Sequence, residues 1–266
     1  MILNMHAFPA SWIQPDWPAP HKVRAIMTTR EGGVSDSPWD SMNVGDHVGD
    51  VPSNVQINRA RLADQVRKPT VYLQQVHGAS VLRLTPDTAH GAQVDGCWTS
   101  SSELACTIMV ADCLPVLLCD VSGRWVAAAH AGWRGLAGVQ GQGILESLVS
   151  CLPISGGDPS GVMAWLGPCI GPQAFEVGQE VRAAFDDGSP EVNALFTPLA
   201  GGKFLADLAG LARKRLLDLG VQQIYGNNSQ PPWCTASQPA LFFSHRRDSR
   251  VFGQTGRMAA CIWLDD

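Results

Sequence analysis

An α+β fold with mixed, layered sheets is what three features of this 266-residue chain predict. Apolar runs bounded by turn residues recur along its length. Several of them are apolar at every position. Helix candidates fall between them without strict alternation and without gathering into a block. A run that is apolar on both faces belongs to a strand buried between layers. Strict β-α alternation would instead give a doubly wound parallel sheet, and this order departs from it.

The elements follow in chain order. The first strand is expected over residues 23–28. Ser53 then caps a helix running through Arg59, Leu62 and Val66, with Gln56 at the capping-box position. Strands follow at 71–74, 81–84, 106–110, 115–119 and 125–130. A helix over 136–152 carries Ile144, Leu145 and Leu148 on one face, although three glycines weaken its start. After a strand at 163–166, the clearest helix spans 204–219. Its apolar residues approximate a helical stripe and Gly220 closes it. Strands at 240–243 and 258–264 complete the set. The loop 153–161 is the best candidate boundary. Composition does not change across it, so residues 1–266 read as one domain.

A chain that is 45% hydrophobic and 16% charged can bury a sizeable core, which excludes disorder. Its formal net charge of -5 argues against a nucleic-acid partner, whose binding surface would be basic. Residues 1–12 lack a basic segment followed by a long apolar one. The longest apolar stretch, 104–119, is interrupted by Asp112 and Pro115 and is short for a bilayer span. These features point to a cytoplasmic protein with no membrane partner. Its eight cysteines form no C-x-x-C pair and read as mostly reduced thiols.

Three residues stand out as a candidate metal site. His77 lies in Gln75-Val76-His77-Gly78, Cys113 in Ala111-Asp112-Cys113-Leu114-Pro115, and His130 in His130-Ala131-Gly132-Trp133-Arg134-Gly135. Each ends an apolar run, and Gly or Pro follows within two residues. Three such donors from separate strand ends suit an open zinc site with the fourth position free. On the residues alone, a core cysteine and two hydrogen-bonded histidines is the competing reading. Asp112 can tune this site, shuttle a proton or accept a hydrogen bond behind it. Arg30 and Arg134 beside glycine turns, with Ser244-His245-Arg246-Arg247-Asp248 and Gly256-Arg257, can form an anion pocket. A solvated basic loop is the alternative, and for Arg250 the preferred one. Gly167-Pro168-Cys169-Ile170-Gly171-Pro172 is a rigid turn that either walls a pocket or is purely structural. Glu176 is a general base or an ordinary helix-start carboxylate.

Missing motifs narrow the chemistry. There is no P-loop, no G-x-G-x-x-G, no H-E-x-x-H and no zinc-deaminase signature. Seven scattered histidines without an H-x-H do not furnish an ordinary four-copper oxidase.

Taken together, Thr28-Thr29-Arg30-Glu31-Gly32-Gly33-Val34-Ser35, Asn43-Val44-Gly45-Asp46-His47-Val48-Gly49-Asp50, the three segments around His77, Cys113 and His130, the 167–172 turn and Thr255-Gly256-Arg257-Met258 resemble the YfiH-type family. That family is labelled polyphenol oxidase (laccase) in older usage and purine nucleoside phosphorylase in newer usage. The likeness runs from about Arg24 onward with motifs in the same order. Phe175 and His245 stand where Tyr is frequent in the family. The resemblance implies an α/β/β/α layered fold similar to a toxin deamidase domain. It also implies zinc held by His77, Cys113 and His130. The implied activities are phosphorolysis of adenosine, inosine and S-methyl-5′-thioadenosine, together with adenosine deamination. Its small-molecule partners are therefore purine nucleosides and phosphate. The expected roles are Cys113, Asp112 and Arg30 in catalysis, and Arg30, Asn43, Arg134 and Arg247 in substrate and phosphate binding. Three alternatives remain: a copper-dependent phenol oxidase, a cysteine hydrolase or amidase using Cys113 with His130 as its base, and a non-enzymatic binding module.

Overall fold

Strands that are apolar on both faces need a layer on each side, and two stacked sheets supply it. The computed structural model describes residues 9–265. Its strands are β1 (Val23–Met27), β2 (Thr70–Val71), β3 (Val81–Arg83), β4 (Gly96–Thr99), β5 (Ala105–Val110), β6 (Leu114–Asp120), β7 (Val126–Ala131), β8 (Val162–Leu166), β9 (Glu176–Val177), β10 (Phe196–Pro198), β11 (Phe204–Ala206), β12 (Gln223–Gly226) and β13 (Met258–Leu264). The α-helices are α1 (Pro52–Val66), α2 (Trp133–Ala137), α3 (Ile144–Cys151), α4 (Gln179–Ala184), α5 (Pro190–Asn193), α6 (Leu208–Asp218) and α7 (His245–Phe252). One sheet has the order β1-β13-β5-β2 and the other β12-β8-β6-β7-β4-β3, while β10-β11-β9 form a small third sheet. Both large sheets are mixed. The pairs β2–β5, β3–β4 and β8–β12 are parallel and the rest antiparallel.

The two-residue side-chain period sorts the core into layers. Leu114, Val116 and Leu118 of β6 and Ala127, Ala129 and Ala131 of β7 face α2, α3 and α6. Their neighbours Leu117, Cys119, Val126 and Ala128 point the other way, onto Cys106, Ile108, Ala260 and Ile262 of the second sheet. The outer face of that sheet packs Met109, Ala259 and Cys261 on Leu62 and Val66 of α1. The result is the α/β/β/α layering. Among the described residues, no helix is long and apolar enough to cross a membrane.

Local chemistry moves several boundaries. Helix α1 begins with Pro52 after an extended Val51 and has no side-chain cap, so Ser53 lies inside it. Proline fits a first helical position, where its missing N–H has no partner to lose. The helix expected over 136–152 is two, α2 and α3. Gly138 between them has φ 65°, and a Cβ there would meet the Gln142 carbonyl oxygen at 2.0 Å. Residues 204–206 pair as β11, and the Asp207 carboxylate caps α6 by accepting from Gly210 N–H at 2.8 Å. The 240–243 run is a turn rather than a strand, yet Phe242 and Phe243 are buried between the sheets. Glu176 lies on β9 instead of starting a helix.

Candidate metal centre

The connections at one end of the two sheets bring His77, Cys113 and His130 together. His130 sits on β7 opposite Pro115. Cys113 lies in the short turn from β5 to β6, where Asp112 takes φ 82°. His77 lies in the loop between β2 and β3, at φ 59°. Their ligand atoms all lie within 4.8 Å of one another. Cys113 Sγ is 3.8 Å from His77 Nε2, and the two imidazoles meet edge to face with centroids 4.8 Å apart. Gly132 permits this convergence, since a Cβ at that position would stand 2.9 Å from His77 Cδ2 and 3.1 Å from Cys113 Sγ.

Asp95 organises the trio, and no sequence signal marked it. It is fully buried just before β4. Its carboxylate accepts the backbone N–H groups of Val76, His77 and Gly78 at 3.1, 2.9 and 2.7 Å, which fixes the loop carrying His77. The same carboxylate lies 2.7 Å from His130 Nδ1. Burial pushes the Asp95 carboxyl up, but hydrogen bonds from His130 and the loop N–H groups outweigh it and hold the group below its usual value. An ionised carboxylate only accepts, so His130 Nδ1 donates to Asp95 and Nε2 is the nitrogen that can give up its proton to a metal.

The electrostatics favour the ligand form of the cysteine. Burial alone pushes the Cys113 thiol up; the charge of His130 and hydrogen bonds from His130 and His77 outweigh it and bring it down to about 6. Burial lowers His130, but Cys113 and Asp95 raise it to about 9. Thiolate is the form that binds metal. Tetrahedral zinc with ordinary Zn–S and Zn–N bonds separates sulfur from nitrogen by about 3.5 Å. The observed 3.8 Å between Cys113 and His77 lies close to that edge. A histidine whose far nitrogen is held by a carboxylate is the usual support of a zinc ligand. The donor set therefore fits a zinc-like ion.

The trio opens into a cavity of about 270 Å³ that His47, Gln75, Met109, His245 and Arg257 also line. A second cavity of about 440 Å³ shares His47, Gln75 and Met109 with it. Both ends of the Gln75 amide are tied to the Met109 backbone, at 2.7 and 2.8 Å, which clamps the β2–β3 loop to β5.

The remaining expected site residues lie around this cavity rather than in its wall. Asp112 is buried, and its carboxylate accepts from Thr235, from Ser244 Oγ at 3.0 Å and from Arg246 N–H at 2.7 Å. Its carbonyl accepts from Ile170 N–H at 2.9 Å, so the 167–172 turn rests against the Cys113 turn. Arg30 binds the Asp40 carboxylate and carbonyl and the Pro239 carbonyl, with its guanidinium 4.9 Å from the Phe243 ring centre. Arg247 donates to Asp248 and to the carbonyls of Thr235, Ala236 and Phe242. Arg134 is exposed and stacks on Trp133 at 4.3 Å. Asn43 is fully buried, and its Oδ1 accepts from Gly45 N–H and from Arg257 N–H. Sequence reasoning passed over Gln75 and His47 as site residues, although both stand inside the quoted motifs.

Fold and site together define a layered α/β protein with an open His-Cys-His centre. The chain belongs to the multi-copper polyphenol oxidoreductase laccase family, whose pattern matches residues 24–265. A purine nucleoside phosphorylase of Pseudomonas aeruginosa is 48% identical, covering 96% of this chain and 99% of its own length. The purine nucleoside phosphorylase YfiH of Escherichia coli is 47% identical, covering 95% and 98%. A Neisseria meningitidis protein of known structure superposes with a TM-score of 0.88 at 44% identity, over 96% of this chain and all of the other. YlmD from Geobacillus stearothermophilus gives 0.85 at 32% identity, over 98% of each.

Proposed function

We propose that this chain is a zinc-dependent purine nucleoside phosphorylase that cleaves adenosine, inosine and S-methyl-5′-thioadenosine, with adenosine deamination as a second reaction at the same centre. One observation carries the reading. An open set of two histidines and a thiolate-biased cysteine lines a cavity of about 270 Å³, in a chain whose full-length relatives are named purine nucleoside phosphorylases.

Zinc, when bound by His77, Cys113 and His130, supplies a Lewis acid that stabilises negative charge developing on the substrate. Asp95 keeps the Nε2 lone pair of His130 aimed at the centre. Met109, Val110 and Ala111 give the cavity an apolar wall beside it. In phosphorolysis a phosphate oxygen bonds to ribose C1′ as the C1′–N bond breaks. The electron pair leaves with the purine, which then takes a proton. His47 and His245, both in the cavity wall, are the side chains suited to deliver it.

The test is incubation of the purified protein with adenosine, with and without phosphate. Phosphate-dependent adenine and ribose 1-phosphate support the reading, and inosine reports the second reaction. Absence of both products with metal-replete protein rejects it. Two rival readings have their own observations. The matched family's description names copper oxidases, so oxygen uptake with a phenol and a copper-loaded protein would favour that chemistry. Cys113 beside His130, with its thiol near 6, also suits a nucleophile. Turnover by metal-free protein, with Cys113 trapped covalently, would favour the hydrolase.

A further inference from the structure

Among the described residues, no carboxylate lines the wall of the metal cavity. Its lining residues are the trio, neutral groups, His47, His245 and one permanent cation, Arg257. Asp95, bonded to His130, and Asp112, next to Cys113 in sequence, are absent from that wall, and their oxygens are already engaged by donors.

Among the arginines near the site, Arg257 lines the cavity, and its guanidinium is less engaged than those of Arg30 and Arg247. The guanidinium groups of Arg30 and Arg247 donate from Nε and both Nη atoms to protein acceptors. In Arg257 only Nη1 is used, donating to the carbonyls of Thr255 and Gly256 at 3.1 and 3.2 Å. Among the described residues, its Nε and Nη2 donate to nothing, and no salt bridge joins it to a carboxylate. The residue is nevertheless half-buried. Burial pulls its pKa down, against the pull of Cys113 and Asp112 in the other direction. A half-buried cation whose Nε and Nη2 find no protein acceptor gains more from an arriving anion than one already paired.

Its position is built rather than incidental. Asn43 Oδ1 accepts the Arg257 backbone N–H at 2.8 Å, and Asn43 Nδ2 is anchored on Gly45 O and Asp50. Gly45 leaves room for the stem, since a Cβ there would stand 2.8 Å from Arg257 Cγ. The adjacent Nε and Nη2 N–H groups form the planar fork that pairs with two oxygens of one oxyanion.

We infer that the guanidinium of Arg257 is the anion-binding element of the cavity and holds inorganic phosphate as the second substrate. This rests on the phosphorylase reading for the identity of the anion. Asn43 then serves phosphate indirectly, as the residue that positions Arg257.

The experiment titrates inorganic phosphate calorimetrically into the metal-loaded full chain and measures KM for phosphate and for adenosine. Wild type is compared with Arg257→Gln, with Arg257→Lys and with Arg83→Ala, a control on an exposed arginine stacked on Trp98. Arg257→Gln should weaken phosphate binding and raise its KM about 10- to 100-fold, the loss of a charge-assisted fork. Metal content should stay at the wild-type level and KM for adenosine within about twofold. Arg257→Lys should retain part of the affinity as a point charge, and Arg83→Ala all of it. Unchanged phosphate affinity in Arg257→Gln, or no phosphate binding by wild type, overturns the inference. Arg257-dependent phosphate binding without any nucleoside cleavage would keep Arg257 as the anion-binding element but overturn phosphate as second substrate, together with the phosphorylase reading.

Discussion

At the scale of single residues, the centre is organised by a carboxylate that does not line the cavity. Asp95 accepts four hydrogen bonds, three from the loop carrying His77 and one from His130. In Asp95→Asn one oxygen becomes an NH₂ group, which cannot accept and would meet N–H donors. The amide also withdraws the charge that holds the His130 tautomer. Metal affinity should fall about 10- to 100-fold, the usual effect of losing such a support. Chelator competition on the purified variant checks it, and wild-type affinity would refute the role given to Asp95. Asp112 is the residue-scale contrast. Its place beside Cys113 in the sequence suggested chemistry, whereas its carboxylate ties the Cys113 turn to Thr235 and to the start of α7.

At the scale of elements, helix α7 shows how a local charge cluster becomes structure. Asp248 is buried and accepts from Ser244 N–H at 3.0 Å, from Thr255 Oγ1 at 2.8 Å and from Arg247. Burial pushes its carboxyl up, but Arg247 and these donors outweigh it and hold it below the ordinary 3.8. The sign follows from linkage. A depressed carboxyl contributes stability that is complete above the unfolded value and lost as pH falls through the folded one. Asp248→Asn should therefore cost about 1–3 kcal/mol at neutral pH. The gap between wild-type and variant melting temperatures should narrow as pH drops below 3.8. A gap independent of pH would exclude ionisation of Asp248 as its source. The same elements show what was legible in the sequence. Long apolar runs such as β5, β6, β7 and β13 announced themselves, because burial on both faces leaves little choice of residue. The short strands β4, β9 and β12 did not. Gly96-Cys97-Trp98-Thr99 is held by its neighbours β3 and β7 rather than by its own pattern. Missing β4 hid Asp95, the residue immediately before it.

At the scale of the whole molecule, the three candidate ligands belong to different parts of the sandwich. His77 lies on the loop that passes from β2 in one sheet to β3 in the other, and Cys113 on the turn from β5 to β6, which makes the same crossing. His130 is on β7 within the six-stranded sheet. This convergence was legible only as three strand ends. Which arginine joined them was not, because an arginine's sequence context does not say whether its donors are already taken. An ion held by all three side chains ties both crossings to β7, and it binds the folded chain in preference to the unfolded one. Free zinc at 100 times its Kd should then stabilise the fold by about 2.7 kcal/mol. For a chain of this size that corresponds to a rise in Tm of roughly 5–10 °C. Differential scanning of the stripped protein, with and without added zinc, measures it. In Cys113→Ala the zinc-dependent rise should disappear, while the Tm of the metal-free variant stays near that of the metal-free parent. If Cys113 is a nucleophile and not a ligand, the rise survives in Cys113→Ala although activity is lost. The melting curve thus separates two roles that activity assays on the same variant cannot.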